Sequence, residues 1–184
     1  MVSYWFQKGN EHLNRKSYKN ACRALKRVIE IDPQNDNAWN NLGISLYAVD
    51  SVEDAVHAHD RAIEINPLFK EAWCNRGNAL DELELYEDAV SSYDKALEIS
   101  PLSRDVLSNK AVALGNLGRY EEAHKCCNKA LELDSLFGAA WYNKGLALEA
   151  LYRNDDATAA FARAGELGYD GPPKEAIMIA DYEI

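Results

Sequence analysis

Residues 71–101 read EAWCNRGNALDELELYEDAVSSYDKALEISP, and the same pattern recurs along the chain with a period of 34. Trp73 aligns with Trp5, Trp39 and Trp141, and Leu107 fills the remaining place. Gly77 aligns with Gly9, Gly43, Ala111 and Gly145, Ala89 with Ala21, Ala55, Ala123 and Ala157, and Pro101 with Pro33, Pro67 and Ser135. A fixed period of this length marks a helix–turn–helix unit that stacks on copies of itself. Within one unit, Trp39, Leu42, Gly43 and Leu46 follow the i, i+3, i+4, i+7 stripe of an amphipathic helix. Ala55, Ala58, His59, Ala62 and Ile63 supply a second stripe after the break at Asp50-Ser51. The small Gly43 and Ala55 let the two helices approach, and Trp39 fills the space beside them. Pro67 ends the second helix, because the residue before a proline is driven out of the helical conformation.

These columns predict an all-α chain of about eleven helices and no sheet. Five units are expected at about 2–35, 36–69, 70–103, 104–137 and 138–171, followed by a short C-terminal helix over 172–184. Trp39, Trp73 and Trp141 are expected to be largely buried between helices.

The columns resemble the tetratricopeptide repeat, and the resemblance covers essentially the whole chain. Trp73, Gly77, Leu80, Tyr86, Ala89, Tyr93, Ala96 and Pro101 fall where the family's signature residues lie. The departures are His12 where Tyr or Leu is usual, and His59 and Cys127 where an aromatic is usual. Leu107 for Trp and Ser135 for Pro make the fourth unit the least regular. The resemblance implies a right-handed superhelical solenoid of antiparallel helix pairs. It also implies a concave groove, lined by the first helix of each unit, that receives a peptide or a partner protein.

Composition excludes several other classes. Apolar residues make up 47% and charged residues 27% of the 184, as in an ordinary globular protein. No stretch approaches the roughly 18 consecutive apolar residues that a membrane span needs. The N-terminal residues lack a basic segment followed by an apolar run, so no secretory signal is read there. The expectation is a cytoplasmic chain without a membrane partner. A net charge of −10 argues against nucleic acid, whose binding scales with the phosphates that Lys and Arg neutralise.

The four cysteines form neither a disulfide framework nor a CxxC pair, and His57 and His59 diverge on a helix. No metal or cofactor is expected. There is no P-loop, dinucleotide turn or HExxH. Glu53-Asp54, Glu87-Asp88, Glu121-Glu122 and Asp155-Asp156 recur at the start of each second helix, where acids favour the positive end of the helix dipole. That repetition accounts for them better than acid/base catalysis does, and an autonomous enzyme is not expected.

Side chains that escape the packing stripes carry the functional information. Asn41, Asn75, Asn109 and Asn143 stand two residues after each tryptophan-column position, with Gln7 in the first unit. They look like the asparagine ladder of some helical-repeat proteins. A primary amide has two donors and two acceptor lone pairs, so it can hold a peptide backbone without reading its sequence. Asn10 and Asn78 lie on a neighbouring column. Family members that grip a C-terminal carboxylate use two Lys, two Asn and one Arg. Here Phe6 and Glu71 stand at the lysine places and Asn75 at the arginine place, so such a tail meets no compensating charge.

The reading is a scaffold for protein–protein interaction, binding a peptide or partner protein in an Asn-lined groove. Its alternatives are a regulatory or substrate-recruiting segment of a larger enzyme, and a self-associating module. For self-association through the terminal units to a homo-oligomer, the apolar Tyr4, Phe6, Ile177 and Ile179 are the candidates.

Overall fold

A computed structural model describes residues 1–171. The expected C-terminal helix, and with it Ile177 and Ile179, lies outside the described residues. Those residues form ten α-helices and no strand. They fall into two compact units, Met1–Pro101 and a second that begins at Leu102. The first contains α1 (Val2–Asn14), α2 (Tyr18–Ile31), α3 (Asp36–Tyr47), α4 (Val52–Ile65), α5 (Lys70–Glu82) and α6 (Tyr86–Ile99). The second contains α7 (Arg104–Asn116), α8 (Tyr120–Leu133), α9 (Gly138–Ala150) and α10 (Asn154–Glu166). Each odd-numbered helix packs on the even-numbered helix that follows it through a short turn.

The glycine column sets the closeness of each pair. A Cβ placed on Gly43 lies 2.5 Å from the His59 ring, one on Gly77 2.5 Å from Tyr93, and one on Gly145 2.5 Å from Phe161. Each ring therefore lies on bare backbone of the facing helix. In the fourth pair the column carries Ala111, and the facing column carries the small Cys127, both buried. The two departures compensate: the added methyl is matched by a lost ring. The predicted stripes Leu42, Gly43, Leu46 and Ala55, Ala58, His59, Ala62, Ile63 are all buried.

Trp39, Trp73 and Trp141 pack against the buried clusters and are mostly, but not fully, buried. The reason is polar. Each indole Nε1–H donates to the backbone carbonyl six residues earlier: Trp39 to Pro33 at 2.9 Å, Trp73 to Pro67 at 2.9 Å, and Trp141 to Ser135 at 3.0 Å. Those acceptors lie in surface loops, so the edge of the ring stays at the surface while its body covers the core.

The even-numbered helices lack a side-chain hydrogen bond at their N-caps. Glu53 and Asp54, Glu87 and Asp88, Glu121 and Glu122, and Asp155 and Asp156 occupy the first turns of four of them, where they offset the exposed backbone N–H groups. Between the helices of each pair one residue takes a left-handed conformation: Lys16, Asp50, Glu84, Gly118 and Tyr152, with φ of 54°, 65°, 59°, 73° and 60°. Only Gly118 meets this turn without steric cost. Tyr152 is 90% exposed, so its ring gives nothing in return. Tyr152→Gly is accordingly expected to stabilise the chain by about 0.5–1 kcal/mol, read as a raised urea midpoint.

Candidate peptide-binding surfaces

In the first unit the odd-numbered helices present the amide columns. Asn41 donates its Nδ2–H to Asn10 Oδ1 at 2.9 Å, which joins α3 to α1. Asn75 donates to Asn40 Oδ1 at 3.1 Å, and His59 Nδ1 meets the same oxygen at 3.1 Å. An oxygen that accepts from both neighbours fixes the proton of neutral His59 on Nδ1. Burial lowers the His59 pKa to about 3, and the Arg76 charge adds to the shift. Asn78 Oδ1 accepts from the Tyr93 hydroxyl at 2.9 Å. Tyr47 donates to Glu82 Oε2 at 3.5 Å, and burial together with that carboxylate raises its pKa to about 12.

The expected amides thus differ in their accessibility. Asn10, Asn41, Asn78, Asn109 and Asn143 are half-buried, whereas Asn75 is only 6% exposed. In the second unit Asn143 donates to Ser108 Oγ at 3.1 Å. Both Asn75 and Asn143 bond to a residue 35 positions earlier. Part of the amide capacity therefore joins one odd-numbered helix to the next, a role that column position alone does not reveal.

The second unit also holds a cleft of about 280 Å³ between α7, α8, α9 and the turn after α10. Val112, Tyr120, Tyr142, Leu146 and Tyr169 line it, with Asn143 at its edge and Gly115 leaving its wall open. Tyr142 meets Phe161 edge-on at 5.4 Å and Tyr169 at 5.7 Å. Leu146 is 45% exposed, a large apolar side chain without cover among the described residues. Tyr142 and Leu146 stand on columns next to the amides. Tyr120 and Tyr169 escape that reading, although Tyr169 occupies the next place of the Pro33–Pro67–Pro101–Ser135 column. The self-association candidates are placed unequally: Tyr4 is 57% exposed, while Phe6 is half-buried against the first unit's core.

Family comparison agrees with the column pattern. A tetratricopeptide repeat model matches residues 71–101 and 105–135, and a second TPR repeat model matches residues 9–50. The chain belongs to the tetratricopeptide repeat family. Among solved structures it is similar to MamA from Desulfovibrio magneticus RS-1, with 18% identity and a TM-score of 0.85, over 91% of this chain and 94% of that one. A crystal structure of MamA matches with 20% identity and a TM-score of 0.82, over 90% and 91%. MamA AMB-1 matches with 26% identity and a TM-score of 0.81, over 90% and 98%. A comparison with curated proteins finds no match. The tetratricopeptide fold is thus shared along nearly the whole of both chains. The repeat is a protein-interaction scaffold, and the described residues include no helix long and apolar enough to cross a membrane.

Proposed function

We propose that this tetratricopeptide chain holds a peptide of a partner protein against its odd-numbered helices, and that the cleft of the second unit receives an apolar side chain of that peptide. The carrying observation is the juxtaposition of exposed Leu146 with Asn143 on α9. An apolar anchor beside an amide suits a peptide, whose side chain fills the cleft while its backbone meets the amide. The bond to Ser108 uses one of the four hydrogen-bonding positions of Asn143. In the first unit, Asn10, Asn41 and Asn78 offer the same chemistry, while Asn75 supports them from within. Asn109 extends the amide surface of the second unit. With its four cysteines free and buried, the scaffold suits a reducing compartment such as the cytoplasm.

A random peptide library selected on the full chain tests this reading. Selected peptides are expected to share an apolar or aromatic residue. Leu146→Asp should weaken them at least about tenfold, since burying an unpaired carboxylate is costly. Asn143→Ala should weaken them by about 0.5–1.5 kcal/mol, one hydrogen bond. Thermal unfolding of Leu146→Asp should match the parent, because the side chain is exposed. Selected peptides that bind both variants as tightly as the parent would place recognition elsewhere.

A further inference from the structure

A second cleft in the same unit, of about 450 Å³, lies between α8, α9 and α10 and is lined by charge. It uses another face of α9: Trp141, Lys144 and Leu148 follow one helical stripe, whereas Tyr142 and Leu146 lie on a neighbouring one. His124, Lys144, Arg153 and Arg163 bring cationic or proton-binding groups to it, together with Asn128 and a single carboxylate, Asp156. In a chain of net charge −10 such a concentration is unusual.

The repeat itself shows what is missing here. In the first unit the residue equivalent to Lys144 is Arg76, which pairs with Asp60 at 2.6 Å, sixteen residues earlier, and donates to Ser92 at 2.7 Å. Sixteen residues before Lys144 stands neutral Asn128, whose amide donates to His124 Nε2 at 3.2 Å. Among the described residues no carboxylate lies within ion-pair distance of Lys144, and its ammonium rests 4.9 Å from the centre of the Trp141 ring. Arg153, at the N-cap of α10, and Arg163, within it, hold only exposed partners three residues on, Asp156 at 2.6 Å and Glu166 at 2.7 Å, of which Asp156 also lines the cleft. Exposed pairs of this kind contribute little, so both guanidinium groups can turn to a stronger acceptor. Burial lowers the pKa of His124, and the charges of Lys144 and Arg153 add to the effect and outweigh the opposing charge of Asp156, as expected of a partly desolvated site with a positive balance.

We propose that this cleft is an oxyanion site, in which a carboxylate or phosphate carried by an acidic peptide segment of a partner takes the place that Asp60 fills in the first unit. Lys144 supplies the charge, Arg153 and Arg163 add guanidinium donors, and His124 gains a proton when the anion is present. The site is independent of the apolar cleft and stands whether or not a peptide binds there.

The test is titration of the full chain with inorganic phosphate, and separately with tetraglutamate, against chloride at equal ionic strength. The His124 ring proton resonances are the readout. A saturable shift with either probe is expected; phosphate alone identifies a phosphorylated group as the ligand, and tetraglutamate alone a carboxylate. Lys144→Leu, which copies Leu42 at the equivalent place, should weaken binding about tenfold or more, the loss of one charge-assisted bond. Asn128→Asp should weaken it to a similar extent by restoring the internal partner, with the fold kept as Asp60 keeps it. Shifts that merely follow ionic strength, or that persist unchanged in both variants, overturn the proposal.

Discussion

Gly77→Ala and Tyr93→Cys are each expected to destabilise the chain, and the double variant to lose less than their sum. The single change at Gly77 drives a methyl into the Tyr93 ring, which lies 2.5 Å from the Cβ position. Overpacking of this kind costs about 1–3 kcal/mol, reduced somewhat by the better helix propensity of alanine. Tyr93 is almost fully buried, so removing its ring leaves a cavity at a cost of about 3–5 kcal/mol. Its hydroxyl bond to Asn78 is lost as well. In combination, the methyl occupies part of the cavity and the clash disappears. The fourth helix pair already uses this solution, with Ala111 in the glycine column and Cys127 in the ring column. A coupling of about 1–3 kcal/mol is expected from urea unfolding of the four proteins. Strict additivity would show that the glycine column does not set the approach of the helices.

The second large effect depends on pH. His59 is 1% exposed and has a folded-state pKa of about 3, against 6.5 for an ordinary histidine. Between these values the unfolded chain binds a proton that the folded chain refuses. Protonation therefore favours the unfolded state, and stability falls as pH drops from about 6.5 toward 3. At 1.36 kcal/mol per pKa unit the contribution reaches about 4–5 kcal/mol at the acid end. His59→Phe is expected to abolish it. The fifth pair shows that the change fits, since Phe161 packs on Gly145 as His59 packs on Gly43. Asn40 keeps its bond from Asn75 in the variant. Glu11 and Glu122, whose pKa values are lowered by side-chain bonds to Lys8 and Arg119, lose their contributions as pH falls below the carboxylate range in both proteins. The difference between parent and variant from pH 7 to 4 thus isolates the histidine. Parallel stability curves would show that His59 is protonated in the folded state.

The columns of period 34 carried most of the architecture, because packing between paired helices depends on residues within one repeat. Gly43 with His59 and Gly77 with Tyr93 are such pairs. The exposure of the tryptophan edges was not legible, since the acceptors at Pro33, Pro67 and Ser135 are backbone carbonyls that any residue provides. The left-handed turn was hidden for a related reason. Gly118 signals it, but Lys16, Asp50, Glu84 and Tyr152 are side chains that ordinarily avoid that conformation. The amide column was legible as a pattern, but not in its accessibility. Whether Asn75 meets a peptide or Asn40 depends on how neighbouring odd-numbered helices lie against one another. Tyr169 closes the second unit's cleft from beyond α10, a contact that no stripe within a helix predicts. Lys144 was one basic residue among twenty until Asp60 and Asn128 could be compared in space.

The central claim is that a partner peptide is held at the apolar cleft of the second unit. Methyl chemical-shift mapping tests it most directly, using the full chain labelled at leucine and valine and a peptide taken from the library selection. The account predicts that the largest shifts fall on Leu146 and Val112, and that Leu146→Asp removes the saturable response. Shifts centred on methyls remote from the cleft, such as those of Leu68 or Leu102, with Leu146 and Val112 unmoved, would contradict it.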